Sequence, residues 1–220
     1  MTIFYDYVLI PFFIHTITYW ICSGIFFIAD YYTLPSSQLA SYPKAIKTSL
    51  YNQFIVGLPI QYVLQYPLHD AIESTVHDSL FVLFIKTLCI LMVSNVLFYV
   101  IHRCLHTRFL YYSIHYRHHE YIEPIAVATS YSHPIEYALL HILFFYVPCI
   151  WIGISYSLFL FLIWIGTIHS ILAHTTYLLW YDHNDHIEHH KYYYVYFGFG
   201  SIMDRLCGTI RVNSIKPLTS

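Results

Sequence analysis

The chain has 220 residues, of which 10% are Asp, Glu, Lys or Arg, against roughly 25% in a typical soluble domain; hydrophobic residues make up 58% and aromatic residues 20%. So little charge cannot cover a water-facing surface, and ten basic residues against twelve acidic ones leave no electropositive stripe, which excludes soluble globular, disordered and nucleic-acid-binding classes. A mean hydropathy of +0.54 points to an integral membrane protein, yet sixteen histidines exceed what a passive anchor needs.

A bilayer crossing takes about 20 mostly apolar residues. Residues 7–29 carry no charged side chain and are expected to span; the stretch is too long, and its amino end lacks the basic flank, for a cleaved signal peptide. Residues 49–68 are weaker, interrupted by Asn52, Gln53, Gly57, Pro59, Gln61 and Gln65, and are expected either to span or to lie in the interface. Residues 80–101 form a span with one charge, Lys86, near enough to its start to snorkel. Residues 137–181 are 45 positions without a charge, enough for two crossings joined near Gly153. The expectation is an all-α integral membrane protein of four to five transmembrane helices. A single domain over 1–220 is expected, with a histidine-rich part at about 95–212.

Lys and Arg are retained on the cytoplasmic side of a membrane. With the amino terminus outside, Lys44, Lys47, Arg103, Arg108, Arg117, Lys191, Arg205, Arg211 and Lys216, nine of the ten basic residues, fall on the cytoplasmic face. Thirteen of the sixteen histidines lie between His102 and His190, largely on that same face, so a cytoplasmic helical cap rich in histidine is predicted. The five cysteines are odd in number and lack a Cys-x-x-Cys pair, which indicates neither a disulfide framework nor a thiolate zinc site.

The histidines are also clustered by spacing. His102 and His106 are four apart, His115, His118 and His119 form a His-x-x-His-His triplet, and His186, His189 and His190 form another. On a helix turning about 100° per residue, such positions share one face, so each cluster can present two or three imidazoles to a common centre. His169 and His174 are five apart, about 140° on a regular helix, and need a bulge or a helix end to point together. Neutral imidazole is a common metal ligand. Ten histidines are too many for one zinc ion, which takes about four ligands, and almost no carboxylate accompanies them, unlike soluble di-iron bundles. Two metal ions with about five imidazoles each would use the whole set. Glu120, Glu136, Asp182, Asp185 and Glu188, with His133 and His183, are candidates to orient the ligands. His15, His69, His77 and His141 read as ordinary core or loop residues.

His-Arg-Cys-Leu-His at 102–106, His-Tyr-Arg-His-His-Glu at 115–120, Ser-His-Pro-Ile-Glu at 132–136, and His-Ile-Glu-His-His at 186–190 followed by the tail at 197–209 together resemble the sterol desaturase/fatty acid hydroxylase superfamily of membrane-bound di-iron oxygenases. The resemblance covers roughly 52–211. It implies two non-haem iron ions held by His102, His106, His115, His118, His119, His186, His189 and His190, with His169 and His174 completing the set. It further implies O₂ as co-substrate, a sterol or fatty-acyl lipid drawn from the bilayer and hydroxylated or desaturated, and an endoplasmic reticulum address. The sequence has no Gly-x-Gly-x-x-Gly fingerprint and no fused haem segment, so electrons are expected from a separate cytochrome-type donor and its reductase. The rival readings are a metal transporter or sensor, whose histidines should line the middle of spans, and a non-catalytic membrane relative.

Overall fold

The structure, a computed structural model, describes residues 3–75, 77–177 and 181–211, the side chains of 181–184 excepted. Among the described residues it is all helical, and four helical stretches are long and apolar enough to cross a membrane: Tyr5–Thr33, Leu80–Leu105, Pro134–Ile152 and Tyr156–Ala173.

Helix α1 (Ile10–Thr33) follows a wide π turn and ends where Leu34, made extended by the following Pro35, cannot continue it. Its outer stripe, Phe13, Ile17, Ile21, Ile25 and Ile28, is exposed, whereas Thr16, Tyr19, Ser23 and Asp30 are buried. That inside-out pattern is what a helix shows when its solvent is lipid and its polar groups find partners only in the bundle. After the short α2 (Ser36–Leu39) come α3 (Tyr42–Tyr51), a π segment over Asn52–Gly57, and α4 (Leu58–Glu73), a nearly continuous rod antiparallel to α1. Here lies the weak stretch at 49–68. Asn52, Gln53, Gln61 and Gln65 are buried toward neighbouring helices, so the rod accompanies the four spans although its composition keeps it out of their number.

Helix α5 (Leu80–Leu105), capped by Ser79, leads to the short α6 (Arg108–Ser113), a 3-10 turn over His115–Glu120, and a second one over Ala126–Ser130. The next span comprises α7 (Pro134–Tyr137), a π segment and α8 (Phe144–Ile152); α9 (Tyr156–Ala173) returns. The break between the last two falls at Gly153, with φ +81°, where a Cβ would lie 3.0 Å from Thr75 Cγ2 and 3.2 Å from the Ala71 carbonyl. Only glycine closes this turn against the end of α4. α10 (Tyr181–Tyr192) and α11 (Ile202–Cys207) complete the described chain.

α1 packs parallel to α9, with Tyr156 bonded to Asp6 at one end and Tyr177 to Thr33 at the other, α4 packs parallel to α8, and α5 packs antiparallel to α8, so the carboxyl ends of α1, α5 and α9 and the start of α7 gather at one end. A core of Tyr7, Leu68, Ile72, Tyr146, Cys149 and Phe159 fills the other half. Hydrogen bonds from Asn52 Nδ2 to the carbonyls of Ser130 (2.9 Å) and Ser132 (3.0 Å), and from the Tyr19 hydroxyl to that of Val127 (2.6 Å), tie the irregular 126–132 segment to the bundle beneath the histidines.

Candidate metal centre

Nine of the ten predicted ligands come together in two groups, His102, His106, His115, His119 and His189 in one and His118, His174, His186 and His190 in the other; within each, the facing nitrogens all lie within 4.8 Å of one another. The spacing argument that each cluster serves one centre is refined here, because both triplets are divided. The i, i+4 pair His115/His119 joins the five-membered group while His118 joins the other; in α10 the pair His186/His190 joins the four-membered group while His189 crosses over. In α10 the helical rotation sets the i+3 imidazole about 100° from the i+4 one; in the 3-10 turn, where i and i+3 lie on one face, the His118 ring stands beside that of His115 with centroids 5.6 Å apart and faces the other group, so each triplet contributes to both groups.

His174, at the end of α9, reaches the second group, and His169 belongs to neither group. The five-residue spacing is the reason, since no bulge intervenes in α9 to bring both rings onto one face.

The rings are fixed from behind. Nδ1 of His102 lies 2.7 Å from the Phe197 carbonyl, that of His189 2.7 Å from Val195, that of His190 3.0 Å from Tyr121, that of His174 2.8 Å from Ser170, and that of His118 3.4 Å from Tyr131. A carbonyl oxygen only accepts, so each Nδ1 carries the hydrogen and each Nε2 of the neutral ring presents a bare lone pair. The Nε2 atoms converge: His102 and His115 at 3.1 Å, His115 and His119 at 3.1 Å, His106 and His189 at 3.1 Å, His174 and His186 at 3.0 Å, His186 and His190 at 3.1 Å, and His118 and His174 at 3.4 Å.

His118 and His174 both hold their hydrogen on Nδ1, so no N–H can bridge their Nε2 atoms, and converging lone pairs repel unless a cation lies between them. Two imidazoles bound to one ion at about 2.1 Å and about 90–109° apart have nitrogens roughly 3.0–3.4 Å from each other. The observed spacing fits a metal in each group. The donor set, all imidazole, suits iron, zinc, copper or nickel and not calcium or magnesium.

Burial keeps these rings neutral. It drives the basicity of His115, His118, His186, His189 and His190 well below the usual imidazole value, with neighbouring histidines adding to the effect, and lowers His119 similarly. Burial brings His174 down to about 4 and, with His102 beside it, His106 to about 2. Neutral rings are the form that ligates.

The proposed orienting groups divide sharply. Glu136 is 2% exposed and places Oε1 3.0 Å from His115 Nδ1, beside the ring and off the direction of a good hydrogen bond. Glu120 instead pairs with Lys44 at 2.5 Å and accepts from the Tyr131 hydroxyl at 2.7 Å, bracing the cap. Glu188 lies 3.5 Å from Arg211, Asp185 accepts from the Ser201 hydroxyl, and His133 caps α7 by accepting from the Ile135 amide at 3.2 Å. His183 and Asp182 lie outside the described side chains. Backbone carbonyls do most of the orienting; no residue type marks them in a sequence.

The fatty acid hydroxylase family model matches residues 87–209. Human fatty acid hydroxylase domain-containing protein 2 is 31% identical over 170 residues, 76% of this chain and 51% of that protein. The C-4 methylsterol oxidase of Candida albicans is 37% identical over 91 residues, 39% of this chain and 30% of its own length. Methylsterol monooxygenase 1 of Gallus gallus is 29% identical over 105 residues, 46% of this chain and 36% of its own. The chain thus spans about half the length, or less, of these curated relatives. No solved structure matches.

Proposed function

This chain belongs to the fatty acid hydroxylase family, and we propose that it is a membrane-bound, non-haem di-iron oxidoreductase that uses O₂ to hydroxylate or desaturate a lipid, sterol or fatty-acyl. The observation that carries this reading is the convergence of ring nitrogens in two adjacent all-imidazole groups. His102, His106, His115, His119 and His189 would hold one iron ion and His118, His174, His186 and His190 the other. Bound iron would supply the redox chemistry with O₂ that no side chain of this protein can perform.

The remaining work falls to the chain itself. Carbonyls behind His102, His118, His174, His189 and His190 hold the proton on Nδ1 and aim Nε2 inward, and Glu136 flanks His115. The apolar spans admit a lipid from the bilayer, and the closely packed cap above them keeps bulk water from the reacting carbon. Hydroxylation converts a C–H bond, O₂, two electrons and two protons into an alcohol and water; desaturation removes two hydrogens from adjacent carbons and yields two waters. Both need two electrons from outside, which we assign to a separate cytochrome-type donor and its reductase. We place the histidine end on the cytoplasmic side because the basic residues share it, assign the endoplasmic reticulum on the family resemblance alone, and treat 1–220 as one domain with its catalytic part at about 95–212.

Purified protein should carry about two irons per chain, as the two groups imply, and consume O₂ when given a sterol or acyl lipid and reductant. Unchanged iron content and activity in His118→Ala would overturn the site. Lipid profiles of a host expressing the wild type or this variant would identify the substrate.

A further inference from the structure

The segment 195–209 folds into a clasp that docks on one face of α5. Asn95, Tyr99 and His102 lie along that face at helical spacing and each meets the clasp. Asn95 Nδ2 donates to the Phe199 carbonyl, the Tyr99 hydroxyl lies 3.2 Å from Thr209 Oγ1, and His102 Nδ1 donates to the Phe197 carbonyl at 2.7 Å. The centre of the clasp is Asp204, which is fully buried. Its carboxylate accepts from the Phe197 amide at 2.7 Å, the Gly198 amide at 2.8 Å and the Thr209 hydroxyl at 2.7 Å. Its backbone carbonyl accepts from the Thr209 amide at 2.9 Å. The Thr209 proton is committed to Asp204, so the Tyr99 hydroxyl donates to Thr209, while Arg103 donates to Tyr99 at 2.9 Å. The chain of donors therefore runs Arg103, Tyr99, Thr209, Asp204 and ends on the buried carboxylate.

The clasp needs this anchor. Within the clasp Tyr196 and Ser201 adopt φ of 55° and 52°, left-handed values that side-chain-bearing residues hold only where surrounding contacts fix them. A Cβ at Gly198 would stand 2.9 Å from Asp204 Oδ2, so the absence of a side chain there lets the carboxylate reach the amide. What the anchored loop presents is specific. Its Phe197 carbonyl orients His102, its Val195 carbonyl orients His189, and the Phe197 ring lies 5.1 Å from His106 and 5.5 Å from His189. All three histidines belong to the five-membered group. The carbonyls orienting the second group belong to Tyr121, Tyr131 and Ser170, none of them in the clasp.

We propose that Asp204 is a positioning residue for one of the two metal sites: by clamping 195–209 it fixes the tautomer and aim of His102 and His189, and so sets the affinity of the five-imidazole site without acting on the four-imidazole site. This inference rests on the reading that both groups bind metal. Replacing the carboxylate by an amide turns an NH₂ toward a backbone N–H and releases one arm of the clasp.

The test is a titration of metal-stripped protein in detergent with Co²⁺ against a competing chelator, read from the cobalt absorption bands and from bound metal per chain. Wild type should take up two equivalents. In Asp204→Asn one equivalent should keep its wild-type affinity while the other weakens by roughly 10–100-fold, the range for loss of groups that orient metal ligands. Thr209→Val, which removes one donor and leaves the carboxylate, should give the same one-site pattern with a smaller loss, and it serves if Asp204→Asn does not fold. Two equivalents in wild type, with both or neither weakened in the variants, would overturn the inference and leave the di-metal reading standing. Fewer than two equivalents in wild type would overturn that reading and the inference with it.

Discussion

Lowering the pH of the metal-free protein should undo its histidine end well before the carboxylates titrate. In an unfolded chain each imidazole takes a proton near pH 6.5. In the folded protein burial and mutual repulsion keep His106, His115, His118, His119, His174, His186, His189 and His190 neutral, His174 down to about 4. Below about pH 6.5 the unfolded state therefore binds more protons than the folded one, and stability falls as pH falls. At pH 5.5 each excluded proton costs about 1.4 kcal/mol, so these eight rings cost up to about 11 kcal/mol together. Whole-domain stabilities are about 5–15 kcal/mol. The thermal midpoint of metal-free protein in nanodiscs, followed by near-ultraviolet circular dichroism, should drop steeply between pH 7 and 5.5. Bound metal should move that drop to lower pH, because ligation stabilises the neutral rings of the native state. A midpoint that stays level from pH 7.5 to 5.0 without metal would refute the reasoning, since it would mean that the rings accept protons in place.

His174→Ala should lose metal from the four-membered group while His169→Ala retains both equivalents, because only His174 reaches a group; bound metal per chain measures both. Glu136→Gln, which takes the carboxylate from beside His115, should weaken the five-membered site by about 10-fold or more with helix content unchanged, as a chelator competition would record. Gly153→Ala forces a side chain into a φ of +81° and against Thr75 and Ala71, and should lower stability by about 1–3 kcal/mol. Metal content should be unaffected there, because the turn lies at the end of the bundle away from the histidines. An unchanged melting temperature in that variant would count against the turn geometry.

The sequence by itself determined the class, the spans and the inventory of donors. Apolar length is a property of consecutive residues, so the span at 80–101, which the structure extends to Leu105, and those on either side of Gly153 could be read directly. Imidazoles at i, i+3 and i+4 could likewise be seen to share a helix face, and Glu136 was one of five acids, with Glu120, Asp182, Asp185 and Glu188, that could orient them. Only the tertiary structure decided how the donors are shared. Spacing fixes angles within one helix and says nothing of the distance between helices, so the division of each triplet between two groups emerged only once α5, the 115–120 turn and α10 were packed together. The same limit applied to the weak stretch at 49–68, whose glutamines and asparagine signalled a poor span until α1, α8 and the 126–132 segment supplied the surfaces that bury them. The groups that aim the ligands are mostly carbonyls of Tyr121, Ser170, Val195 and Phe197, and a carbonyl is common to every residue. Asp204 was visible in the tail as an acid before Gly208-Thr209, but its part in holding the clasp depends on a loop closing over α5, a long-range contact that no local pattern encodes.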